Sequence, residues 1–330
     1  MSKKLLLFAA ATMMLVACKK GPNEPEPGTQ TQPEPTPVTQ EQAMQSYFIT
    51  PVAFNGTFIE TGNALVFATK SQSASAPLRA KSEGETYPII TWTPQDGTWP
   101  IDLIVDYGSK GVVAADGLEH SGKMAIHATA RFEQEGAVIE PSFTDFHVYG
   151  NVLTAKQVIK NLGKNLAGNL VFDVTVENGL LGEQKEFIYS EHTLRELVNG
   201  LQDNGFMNPE VTTHTYSIAG WMKMVSTIDT IPGYLVSIAD TVPMIIAVGD
   251  LYPTKGDVNI TFDKELSYTL QGITVTYQSV NLSFTGKQGD QYGAIVGIEY
   301  KLGPVTQTMR ISFLLDENGI IPESIKPIVE

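Results

Sequence analysis

Cysteine is almost absent: Cys18 is the only one in 330 residues. One thiol closes no disulfide and builds no thiolate metal site, so apolar burial must supply the stability. Positive charge is also scarce. The 22 Lys and Arg face 36 Asp and Glu, for a formal net charge of -14. A surface of that sign repels phosphate backbones, which excludes nucleic acid as an expected partner. It also excludes adhesion to an anionic bilayer through a basic patch. Charged residues make up 18% of the chain, below the usual ~25%. A chain short of charge and rich in Thr, Val, Ile and Tyr suits exposed β-sheet better than amphipathic helices. Motifs of catalysis are missing: there is no Gly-x-Ser-x-Gly, Ser-x-x-Lys or His-Glu-x-x-His, and no phosphate-binding glycine loop. The five histidines, His120, His127, His147, His192 and His214, lack metal-ligand spacing. Neither a metal nor a cofactor is expected.

The N-terminus carries the clearest signal. Lys3 and Lys4 precede an apolar run from Leu5 to Met14 that is too short to cross a bilayer of ~30 Å. Leu15-Val-Ala-Cys18 follows. This arrangement resembles the bacterial lipobox, in which a diacylglyceryl group is attached to the cysteine sulfur and cleavage leaves that cysteine first. The resemblance implies a signal peptide over 1–17 and lipidation at Cys18. Acylation also removes the sole thiol as a nucleophile. Glu24 and Glu26 follow soon after but are split by Pro25, so the membrane face is left open between surface and periplasm.

Residues 18–44 read as a linker. Between Gly21 and Gln42 the only large apolar residue is Val38, and Pro, Glu, Gln and Thr dominate. Such a segment cannot bury enough surface to offset chain entropy. Its prolines favour polyproline II, extended at ~3.1 Å per residue, and so a stalk.

From residue 45 onward the sequence is read as β, in a region over 45–225 and an antiparallel meander over 226–330, with one continuous domain as the alternative. The alternation is direct. Met124, Ile126 and Ala128 alternate with Lys123, His127 and Thr129; Leu170, Phe172, Val174 and Val176 with Asp173, Thr175 and Glu177; Val258, Ile260 and Phe262 with Asn259, Thr261 and Asp263. A period of two gives one dry and one wet face. Gly286–Gly289 and Asp316–Gly319 supply turn chemistry. The expected fold is all-β, mainly antiparallel, as a large curled sheet, a sandwich or a partial barrel. One short helix is expected near 191–200, with Ser190 as N-cap, Leu194, Leu197 and Val198 on one face, and Gly200 as the stop. Residues 231–249 are the most apolar stretch after the leader. Broken by Pro232, Asp240 and Pro243, they read as a buried connection or two short strands.

Trp99-Pro-Ile-Asp-Leu-Ile-Val-Asp-Tyr-Gly108, Ala115-Asp-Gly117, His120-Ser-Gly-Lys-Met-Ala-Ile126, Phe143-Thr-Asp-Phe-His-Val-Tyr-Gly150 and Leu170-Val-Phe-Asp-Val-Thr-Val176 together resemble a group of Bacteroidota lipoproteins of unknown function. The resemblance covers residues 98–182. In that group a strand ending near Asp-Tyr/Phe-Gly leads through an Asp-Gly turn to a Gly-Lys-Ile strand, and the stretch after Tyr149-Gly150 is a strand. This implies strand over 151–160 despite its helical composition. The motifs are structural and imply no activity.

Candidate site residues are few. Trp92 and Trp99 flank a turn-rich segment; exposed, they could stack on sugar rings, but capping of the core is favoured. Asp229-Thr230-Ile231 and Asp240-Thr241-Val242 resemble the O-glycosylation signal of Bacteroidota, which requires exposure of Thr230 and Thr241; their apolar neighbours argue against it. Asp102 and Asp106 share a strand face, and a solvated face is favoured over paired glycosidase carboxylates. His120 and His127 are likewise assigned to a solvated face, and Trp221 to the core. The expected function is that of a non-enzymatic binding or interaction module, lipid-anchored to the outer membrane. Glycans, lipids or envelope proteins are its expected partners. The alternatives are a glycan-acting hydrolase with paired carboxylates and a carrier of a hydrophobic ligand.

Overall fold

The computed structural model describes residues 40–71, 88–114, 116–182, 187–199, 214–247, 250, 252–270, 273–302, 305–316 and 319–328. Cys18 and most of the linker lie outside the described residues. Among the described residues sixteen strands form one sheet. They are β1 (Ile89–Thr93), β2 (Ile101–Val113), β3 (Glu119–Ala128), β4 (Val138–Val148), β5 (Asn151–Lys164), β6 (Leu170–Leu181), β7 (Phe187–Asn199) and β8 (Thr215–Ser226), then β9 (Tyr234–Ile238), β10 (Met244–Ala247), β11 (Gly256–Leu270), β12 (Ile273–Gln288), β13 (Gln291–Leu302), β14 (Val305–Asp316), β15 (Gly319–Ile320) and β16 (Lys326–Ile328). Neighbours follow chain order except that β11 pairs β9, β10 pairs β8 and β16 pairs β14. Every pairing is antiparallel. The all-β antiparallel expectation holds, and 231–249 holds two short strands, β9 and β10. The sheet runs unbroken across residue 226 through the β8–β9 pairing.

Among the described residues one long helix, α1 (Gln40–Ser71), lies in the curl of this sheet. It touches β1, β2, β6 and β7. In a flat sheet β1 and β7 would lie six strand spacings apart, about 29 Å at ~4.8 Å per strand. The helix is buried on most of its circumference, at Ala53, Phe54, Thr57, Phe58, Thr61, Ala64, Leu65 and Ala68, which a flat sheet packed on one side would not achieve. Ala53, Phe54, Phe58, Leu65 and Ala68 are fully buried, together with the polar Thr57, Glu60 and Thr61. Most of its surface is enclosed, and the less-buried side, at Val52, Asn55, Asn63, Val66 and Thr69, carries no charge, so the helix shows no strongly polar stripe.

Two expectations about helices are corrected. Residues 45–71 are helical, not strand. Residues 191–199 are strand β7, not helix. In β7 the inward positions are Tyr189, Glu191, Thr193, Arg195 and Leu197, while Leu194 and Val198 point outward and are more than 40% exposed. The charged pair inside and the aliphatics outside invert the usual pattern and mimic a helical spacing. Trp221 is also corrected. It stands on the outer face of β8, 39% exposed, edge-on to His192.

Candidate functional site

Polar side chains of α1 meet polar side chains of the sheet's inner face in two clusters. The first forms at the β2–β3 turn. Ala114 N–H donates to Leu118 O and Gly117 N–H to Ala114 O, both at 3.0 Å. The turn carries Asp116 inward. Asp116 Oδ1 accepts from Leu118 N–H at 2.9 Å, and Oδ2 lies 2.8 Å from His120 Nε2. Glu60 on α1 reaches the same turn, accepting from Tyr107 O–H at 3.0 Å and from Asp116 N–H at 3.3 Å. His120 lies flat against Phe146, and its side chain and that of Asp116 are 0% and 1% exposed. Gly56 permits this approach, because a Cβ there would collide with the Asp116 carboxylate. The solvated-face reading of His120 is therefore corrected: the residue is buried, on the same strand face as Met124 and Ile126. His127 is exposed and pairs Asp102 at 2.7 Å, and Asp106 pairs the exposed Lys123 at 3.0 Å, so those carboxylates do form a solvated face.

The electrostatics follow from burial. Enclosure, and then the neighbouring Asp116 carboxylate, push the Glu60 carboxyl up to about 7. Burial alone pulls the His120 imidazole down, but the Asp116 carboxylate beside it and Glu60 behind it outweigh that, and its value is raised. The cluster thus holds protons that exposed groups of the same types would release.

The second cluster is on β7. Arg195 is 1% exposed. Its Nη2 donates to Glu191 Oε1 at 2.7 Å, its Nη1 to Asn55 Oδ1 at 2.7 Å and its Nε to Thr193 Oγ1 at 3.3 Å. Tyr189 O–H completes Glu191 at 2.6 Å, and the guanidinium sits 4.5 Å from the Phe58 ring centre. Three of its donors and one face are matched. Such an ion pair is tolerated inside a protein because no charge is left bare.

Between these clusters, α1 and the β8–β10 pair leave a pocket of about 100 Å³. Its walls are mainly apolar, with Val52, Ile59, Ile218, Met222 and Met244 among them. Asp116 from the first cluster and Asn55 from the second border it, as do Tyr216 and Asp250. Tyr216 is 3% exposed, and its hydroxyl has no hydrogen-bond partner. A buried hydroxyl without a partner costs about 1–3 kcal/mol, and this oxygen is enclosed rather than open to the pocket.

The chain matches no family model, no curated protein and no solved structure. The site must therefore be read from its own chemistry. Trp92 and Trp99 are half-buried against the core, Trp92 edge-on to Phe67, with both indole N–H groups enclosed. Thr230 and Thr241 are exposed in the turns on either side of β9, which meets the access that modification requires. Among the described residues no group of three His, Cys, Asp or Glu is placed to hold a metal, and no helix is long and apolar enough to cross a membrane. The pocket itself escaped the sequence. Asn55, Asp116, Tyr216 and Asp250 are scattered over 196 positions, and only the curl of the sheet gathers them. His120 did carry a signal, since it shares the parity of Met124.

Proposed function

We propose that this chain is a lipid-anchored protein of the bacterial outer membrane whose β-rich body is a non-enzymatic binding module. The lipobox-like Leu15–Cys18 and the proline-rich linker support the tether; several acyl chains on one residue give a firm anchor. The resemblance of residues 98–182 to Bacteroidota lipoproteins agrees with that placement. The pocket between α1 and the β8–β10 pair is the observation that carries the binding reading. It is concave and mostly apolar, as small-ligand sites are, with Asn55, Asp116, Tyr216 and Asp250 among the residues around it. A small ligand is favoured over a whole lipid, because α1 occupies the space within the curl that a large cargo would need. Binding is favoured over hydrolysis because His120 and Asp116 are sealed from solvent and tied to each other and to the turn.

Xenon tests the pocket without regard to charge, since apolar cavities of this size class take it up. In the mature chain carrying ¹³C-methyl methionine, xenon is expected to shift Met222 and Met244 selectively among the methionines that follow Cys18. Unmoved resonances at both residues would remove the pocket as a binding site.

A further inference from the structure

We propose that the outer face of the sheet binds a neutral, extended glycan along a strip that runs from Trp221 on β8 to Gly297 on β13. The strip is separate from the pocket beside α1, and neither reading depends on the other.

Strand register places the strip. Trp221 stands opposite Ser237 on β9, Ser237 opposite Asn259 on β11, Asn259 opposite Asn281 on β12, and Asn281 opposite Gly297 on β13. Ile238, Val258, Leu282 and Val296, next to them in sequence, are buried, so alternation turns the strip residues outward. Five neighbouring strands span about 19 Å at ~4.8 Å per strand, which is long enough for several sugar rings.

The chemistry of the strip selects the ligand. Trp221 is 39% exposed, and Leu194, Val225 and Leu235 are exposed on the same face around it. Apolar groups gathered on a surface mark a contact site, and an indole accepts the flat, apolar C–H face of a sugar ring. Beyond Trp221 the strip is polar but uncharged. Ser237 and Asn281 are exposed. Among the described residues the Ser237 hydroxyl and the Asn281 amide N–H groups have no partner. Asn259 is held between them, donating to Asn281 Oδ1 at 2.8 Å and accepting from Thr261 Oγ1 at 3.1 Å. Hydroxyl and amide groups in a row suit sugar hydroxyls, which both donate and accept. A polyanion finds no cation in the strip, and the net charge of -14 repels it. A protein partner would need an apolar centre with a polar rim, whereas here the apolar groups lie at one end.

Gly297 keeps the far end open. It lies outside the left-handed region, and a Cβ there would meet only Asn281, at 3.9 and 4.0 Å. The backbone therefore does not require glycine, which weakens a strand interior. The missing side chain leaves free surface beside Asn281.

The test titrates the mature chain, carrying ¹⁵N-labelled tryptophan, with cellohexaose, xylohexaose, mannohexaose and hexagalacturonate. At least one neutral hexasaccharide is expected to shift the indole N–H of Trp221 while Trp92 and Trp99 stay in place, and the acidic one to shift none. Trp221→Ala should weaken binding about tenfold, the loss of one aromatic contact. Gly297→Val, a residue suited to strands, should weaken it severalfold without lowering the Tm, and it keeps the test valid if Trp221→Ala does not fold. Either variant, folded and binding like the parent, would overturn the strip. So would silence of Trp221 toward all three neutral compounds, or shifts at Trp92 or Trp99 in its place. Hexagalacturonate binding as tightly would overturn the neutral class. A Trp221 shift that follows protein concentration without sugar would make this face a protein contact and overturn the glycan reading.

Discussion

Arg195→Ala is expected to lower the unfolding free energy by about 3–5 kcal/mol, seen as a Tm lower by roughly 10 °C. The loss does not measure the strength of the ion pair. It comes mainly from Glu191, which is 2% exposed and would keep a buried charge after its partner is gone. Tyr189 and Thr193 would still donate to it, but two neutral donors do not replace a guanidinium. Asn55 Oδ1 would lose its donor as well, and the Phe58 ring would lose the cation over its face. Because Asn55 and Phe58 belong to α1, the damage should spread to the seating of the helix. The double change Arg195→Met with Glu191→Gln removes both charges and leaves an acceptor for Tyr189. It should recover at least half of the loss, since replacing a whole buried pair is far milder than breaking one. Chemical denaturation of the three proteins checks this. An Arg195→Ala protein within ~1 kcal/mol of the parent, a typical value for an exposed ion pair, would contradict the burial of the pair.

Stability is expected to fall as the pH rises from 5 to 8. The Glu60 carboxyl keeps its proton to about 7 in the folded chain, against an ordinary value of 4.5. Between those values the native state binds the extra proton, so unfolding becomes easier as the pH climbs. His120 adds a slope of the same sign. Its folded value is raised, so the stabilisation from its proton is complete below the unfolded value of 6.5 and is lost as pH rises through the folded value. The Glu60 contribution alone has a ceiling of about 3 kcal/mol. On the acid side the trend reverses, because Asp106, held down by Gly108 N–H and Lys123, and Asp96, held down by Thr98, stabilise the fold only while ionised. The optimum should therefore lie near pH 5. Glu60→Gln removes the ionisation but leaves an acceptor at the turn. It should flatten the profile between pH 5 and 8 and make the variant more stable than the parent at pH 8. Thermal melts across that range decide the point, and a parent protein of constant stability would refute it.

Much of the sheet was legible in the sequence, and the exceptions have common physical causes. Strands such as β6 and β11 have one face in the core and one in water, so Phe172, Val174 and Val176, or Val258, Ile260 and Phe262, stand out by alternation. The tight Gln288–Gln291 hairpin was marked by Gly289 in the left-handed region. The reading failed where burial was two-sided or ionic. Around Phe54, Phe58 and Leu65 most of α1 is enclosed, and its more open side at Val52, Asn55 and Val66 is uncharged, so no clear polar stripe exists to be read, and β-branched and aromatic residues suggest strand instead. In β7 a charged pair points inward, which reversed the polarity on which the reading depends. The candidate site was less legible still. Asp116 could be seen as part of a turn, but its meeting with Glu60, His120 and the wall at Tyr216 depends on contacts between distant segments. Local pattern carries no record of such contacts.

A diacylglyceryl group on Cys18 is the premise of the tethered module, and intact mass spectrometry of the protein extracted from its own membranes tests it most directly. The expected product begins at Cys18, carries the mass of the added acyl chains and has no thiol open to alkylation. A mature chain with an unmodified, alkylatable Cys18, or one that still retains residues 1–17, would contradict it.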